Sequence, residues 1–86
     1  LTARALSHLA TGRTKDAAAD LDAAVQLDPQ SGAAWVSRGL AYERLGDKDK
    51  AAGSYARALN ISGSNEAAKK GFARVGGKPG QTYQTF

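Results

Sequence analysis

Apolar residues recur at spacings of three and four through alanine-rich segments up to about residue 75. Val, Ile and Thr nowhere alternate with polar residues as they do along a half-buried strand. Turn-forming residues interrupt the pattern at Thr11-Gly12, Asp28-Pro29-Gln30-Ser31-Gly32, Gly46-Asp47, Ser62-Gly63-Ser64-Asn65 and Gly76-Gly77. They divide the chain into five helices, expected over about 2–11, 14–27, 32–45, 48–61 and 65–75. Asn65 before Glu66 supplies an N-cap acceptor, and Gly46 supplies the left-handed residue that follows a helix end at Leu45. The pattern predicts an all-α fold.

One residue fits the pattern badly. Gly39 stands in WVSRGLAY (35–42), inside an expected helix, where glycine costs about 1 kcal/mol relative to alanine. An internal period gives it a reason. A shift of 34 residues places Gly12 on Gly46, Ala17 on Ala51, Ala24 on Ala58, Arg4 on Arg38, Leu6 on Leu40, Ala18 on Ala52, Leu21 on Tyr55 and Ala33-Ala34 on Ala67-Ala68.

A helix–turn–helix unit of this length resembles the tetratricopeptide repeat, with its pattern of Trp-x2-Leu-Gly-x2-Tyr, then Ala-x3-Phe, Ala and Pro. The second copy supplies Trp35, Gly39, Tyr42, Gly46, Ala51, Tyr55 and Ala58. The first supplies Gly12, Ala17, Leu21, Ala24 and Pro29. Three departures stand out: Arg4 and Arg38 take the place of the family's leucine, Gly63 replaces the second closing proline, and His8 takes the first copy's tyrosine position. The resemblance implies an α-α superhelix, a right-handed solenoid of antiparallel helix pairs. Repeat one would span about 1–31, repeat two about 32–65 and a capping helix 65–75, making one domain over 1–75 followed by a Gly/Pro-containing tail over 76–86. In such a stack Gly39 is the point where the two helices of the second repeat approach closely, with Trp35 and Tyr42 packing beside it. In the last helix Phe72 and Val75 are expected to turn inward, with Lys69 and Lys70 facing water.

The same resemblance implies a function without chemistry: a protein–protein interaction module whose concave groove, lined by the first helix of each pair, receives a peptide or helix of a partner. The lining positions fall on Thr2, Leu6, Leu9, Val36, Leu40, Glu43, Lys70 and Arg74. Some family members clamp a peptide carboxylate with Lys and Asn in the first groove helices; Thr2, Leu6, Val36 and Leu40 stand there instead, so the groove reads as largely apolar. Lys70 and Arg74 can still meet an acidic group at one end. The alternative for Leu6, Leu9 and Leu40 is simple burial between helices. A different class of reading is self-association, with copies pairing through an incomplete first repeat around Leu1, Leu6 and Leu9.

Charge adds two points. The net charge of +4 is uneven: Lys69, Lys70, Arg74 and Lys78 against Glu66 concentrate it after residue 65. A nearly neutral body without a groove-reading motif disfavours nucleic acid as the partner. Secondly, Arg4 and Arg38 sit where a free charge is costly. Each is expected either to pair with Asp20 or Asp22 on the following or preceding helix, or to snorkel to solvent along its stem.

Candidate chemistry changes little. The chain of 86 residues contains no cysteine, so neither a disulfide framework nor a Cys/His zinc site is available, and no redox compartment is indicated. His8 is the only histidine and reads as a packed side chain; Ser7 beside it points about 100° away around the helix. Asp16, Asp20, Asp22 and Asp28 show neither a phosphate loop nor metal-ligand spacing, and Asp16 suits the positive end of its helix. No catalytic residue, cofactor or metal is expected. Leu1 rather than Met opens the chain, which reads as a processed form or a piece of something longer, and no apolar run approaches the ~18 residues of a membrane span. In the tail, Tyr83 and Phe86 are aromatics spaced to dock into an apolar groove.

Overall fold

A computed structural model of the chain describes residues 12–77. The helix expected over 2–11 lies outside those residues, with Leu1, Thr2, Arg4, Leu6, His8 and Leu9; so do Lys78, Tyr83 and Phe86. The described chain is α1 (Thr14–Leu27), α2 (Gly32–Leu45), α3 (Lys48–Ile61) and α4 (Glu66–Arg74), with no strand among the described residues. The first three have the bounds expected from the sequence. The last is shorter than expected by one residue at each end, because Asn65 is its cap and Val75 already lies outside the helix at ψ 9°.

The helix ends explain where each element stops. Ser31, Asp47 and Asn65 each accept, through the side chain, the backbone N–H three residues ahead, at 3.2, 3.1 and 3.1 Å. Such caps contribute about 1 kcal/mol each. Gly46 closes α2 in the left-handed region at φ 85°, with the Asp47 N–H returning to the Tyr42 carbonyl at 2.9 Å. Gly76 closes α4 in the same way at φ 76°, the Gly77 N–H reaching the Phe72 carbonyl at 2.8 Å. These are the six-to-one bonds of a Schellman ending.

The period of the sequence reappears as geometry at the other turns. Asp28 N–H bonds the Ala24 carbonyl and Ser62 N–H the Ala58 carbonyl, both at 2.9 Å; Ser31 N–H bonds Asp28 and Asn65 N–H bonds Ser62, both at 3.2 Å. Each pair is 34 residues apart. The second turn therefore forms the same backbone bonds without the proline.

Between the turns, α2 lies against both α1 and α3, while α4 packs on α3 and touches α2. Tyr42 meets Lys50, Gly39 meets Tyr55 and Trp35 meets Arg57, so α2 and α3 run antiparallel. The core among the four helices is built from small residues around a few large ones. Ala17, Ala18, Leu21, Ala41, Tyr42, Ala51, Ala52, Tyr55 and Val75 form one cluster; Ala24, Val25, Ala34, Trp35, Ala58 and Ala68 form the other, with Val36 touching both. Phe72 packs against the first cluster and Val75 is buried in it, whereas Lys69 and Lys70 are exposed, as expected for the last helix.

Candidate functional site

The inner side of α2 fixes how that helix is turned. Arg38, only 2% exposed, donates from Nε to Asp22 of α1 at 2.8 Å and from Nη1 to Ser54 of α3 at 2.7 Å. Its guanidinium lies over the rings of Tyr42 and Trp35, at 4.8 and 5.6 Å from their centres. The Tyr42 hydroxyl donates to the same Asp22 carboxylate at 2.8 and 3.0 Å. Burial, reinforced by that bond, pushes the Tyr42 phenol up to about 12. Trp35 donates its indole N–H to the Pro29 carbonyl at 2.8 Å, tying α2 to the turn before it. Of the partners expected for Arg38, Asp22 is the one that meets it, and burial excludes snorkelling. The family's leucine position is thus filled by a charge held between three helices.

With that side turned inward, Val36, Leu40 and Glu43 fall together on the other face of α2, at spacings of four and three, and all are half-buried. On α4, Lys70 and Arg74 lie one turn apart and are exposed. The structure joins the two helices here. Arg74 donates from Nε to one Glu43 oxygen at 2.6 Å and from Nη2 to the other at 2.9 Å. The Tyr55 hydroxyl donates to that second oxygen at 2.9 Å. The Arg74 guanidinium holds the Glu43 carboxyl below the usual glutamate range, against an opposing effect of burial, and the Tyr55 bond adds to the lowering. Burial first, and then Glu43, raise the Tyr55 phenol.

Tyr55 reaches this position because two glycines make room for its ring. A Cβ on Gly39 would come within 2.7 Å of the ring from α2, and a Cβ on Gly71 would collide with it from α4. The close approach at Gly39 is therefore real. Gly71 is its counterpart, which sequence reasoning missed; a glycine in the middle of KKGFAR carries the same signal as Gly39. The Tyr55 hydroxyl was missed too, because its ring alone reads as core.

Of the eight expected lining positions, Val36, Leu40, Glu43, Lys70 and Arg74 are described, and Thr2, Leu6 and Leu9 lie outside. The acidic group that Arg74 meets is the chain's own Glu43. Two open clefts of about 480 and 400 Å³ lie elsewhere. One is lined by Leu45, Gly46, Asp47, Lys48 and Asp49, the other by Gly12 to Asp16 with Leu45. Among the described residues no group of three or more His, Asp or Glu side chains is placed to hold a metal, and no helix is long and apolar enough to cross a membrane.

Comparison with known proteins bears on this geometry at two levels. The family model described as tetratricopeptide repeat matches residues 2–68. Among curated proteins, the heat shock protein STI1 of Saccharomyces cerevisiae is 32% identical over 72 residues, which cover 84% of this chain and 12% of that protein. The chain thus spans a small fraction of the relative's length. No solved structure gives a significant match.

Proposed function

The chain belongs to the tetratricopeptide repeat family, and from that premise we propose that it is a non-catalytic interaction module whose receiving surface is the face shared by α2 and α4. The observation that carries this reading is the placement of Val36 and Leu40. The Arg38–Asp22–Tyr42 network turns the opposite side of α2 inward, which leaves two large apolar side chains half-covered on a face that α4 borders with Lys70 and Arg74. A half-covered apolar strip with polar ends suits an extended or helical apolar segment of another protein. Trp35, Gly39, Tyr42, Ala51, Tyr55, Ala58, Ala17, Ala24 and Pro29 serve the fold that presents it, and Gly12 lies at its first described turn.

A capture experiment tests the surface. Immobilised wild-type chain and Leu40→Glu are compared for the proteins they retain, with Gln26→Glu, on the exposed side of α1, as control. Leu40→Glu should lose the retained partner while its helical circular dichroism stays unchanged, and Gln26→Glu should keep it. Equal retention by all three places the interaction elsewhere.

A further inference from the structure

Building on the groove reading above, we propose that Glu43 acts as an internal carboxylate that occupies Arg74, so that the α2/α4 surface favours uncharged apolar segments and discriminates against acidic ones. Arg74 commits two donors, Nε and Nη2, to the two oxygens of Glu43. That forked arrangement is the one a partner's carboxylate would itself need. The pair joins residues 31 apart in sequence, so it is a tertiary contact between α2 and α4 rather than a local helix pair.

Glu43 is also held ready for this role. Tyr55 donates to its Oε1 at 2.9 Å, and the ring that carries this hydroxyl is fixed between Gly39 and Gly71. An incoming carboxylate that takes the same Nε/Nη2 edge must displace Glu43 and leave it half-buried without its cation, and one at the other edge finds the Arg74 charge already offset; an uncharged segment avoids the first cost and does not need that charge. Charge points the same way: with Glu43 cancelling Arg74, only Lys70 of this trio is left to attract an acid. Val36, which also packs on both core clusters, and Leu40 each keep part of their apolar surface uncovered.

The test uses the full chain and two amidated leucine-rich octapeptides that differ only in carrying two glutamates or two glutamines. Affinity is read by fluorescence anisotropy, and the Arg74 Nε–H is followed by nuclear magnetic resonance. The wild-type chain should bind the glutamine peptide more tightly. Glu43→Gln should raise affinity for the glutamate peptide about tenfold, the scale of one exposed charge-assisted contact, and should shift the Arg74 Nε–H on titration. Arg74→Gln, a second variant, should widen the preference for the glutamine peptide. A wild-type preference for the glutamate peptide, or a ratio unchanged by Glu43→Gln, overturns the proposal. If neither peptide binds the wild-type chain, the groove reading fails by itself. The role of Glu43 is then decided by whether Glu43→Gln brings the Arg74 Nε–H under titration by the glutamate peptide: a shift supports it, no shift overturns it.

Discussion

Arg38 and Gly39 are neighbours in sequence and show opposite ways of using a residue that a helix core would reject. Arg38 is tolerated because Asp22, Ser54 and two aromatic rings surround its guanidinium. Removing one partner of a buried pair leaves the other uncompensated, at about 3–5 kcal/mol when both are fully buried. The Asp22 side chain is 40% exposed, so water offsets part of that loss, and Asp22→Ala should lower stability by about 2 kcal/mol. Arg38→Leu, which removes the buried charge itself while Tyr42 still bonds Asp22 and Ser54 still donates to the Lys50 carbonyl, should cost less than Asp22→Ala; urea denaturation of the two variants gives the comparison. The reverse order would mean that Arg38 is held mainly by contacts other than Asp22. Gly39 is required by space. Alanine gains about 1 kcal/mol of helix propensity, but its Cβ would stand 2.7 Å from the Tyr55 ring, and overpacking of that kind costs about 1–3 kcal/mol. Gly39→Ala should therefore lower the urea midpoint, and a raised midpoint would show that the ring can yield. That Gly39 marks a close approach was legible from the repeat; which aspartate meets Arg38 was not, because both Asp20 and Asp22 lie on the facing helix and its rotation decides between them.

Among the described helices α4 is the shortest, at nine residues. Its N-terminus depends on Asn65, whose side chain accepts the Ala68 N–H. Asn65→Ala should cost about 1 kcal/mol, with amide exchange speeding first within Glu66–Arg74 rather than in α2 or α3. Its tie to α2 is the Glu43–Arg74 pair, and this gives stability a pH dependence of known sign. The folded pKa of Glu43 is lowered from 4.5, so its contribution is fully present above that value and is lost as pH falls through the folded value. Glu43→Gln should flatten the fall of stability below about pH 4.5, measured by denaturant midpoints across the acid range; an acid limb identical to wild type would remove Glu43 from it. The helix bounds were legible because Ser31, Asp47, Asn65, Gly46 and Gly76 each carry a local signal. The contact between Glu43 and Arg74 was not, because it depends on how α4 lies across α2, and no local rule fixes that angle.

In the whole described chain the repeat is the organising fact: turns 34 residues apart close with the same backbone hydrogen bonds, and the small residues at Ala17, Ala51, Ala24 and Ala58 are buried in both copies. That much follows from periodicity, since each fixed offset puts a small side chain where two helices cross. From sequence, the proposed surface was a set of positions on three helices: Thr2, Leu6 and Leu9 on the first expected one, and Val36, Leu40, Glu43, Lys70 and Arg74 on α2 and α4. What the structure adds is that Glu43 and Arg74 face each other, so that Arg74 is paired within the chain and Lys70 carries the remaining positive charge of that trio. Whether partners are read on this face is decided by mapping amide and side-chain shifts of the labelled chain during titration with a protein it retains. The largest changes should fall on Val36, Leu40, Glu43, Lys70 and Arg74, and the lining of the two clefts, Leu45–Asp49 and Gly12–Asp16, should stay still. Changes concentrated on those clefts, with Leu40 and Arg74 unmoved, would contradict recognition on this face.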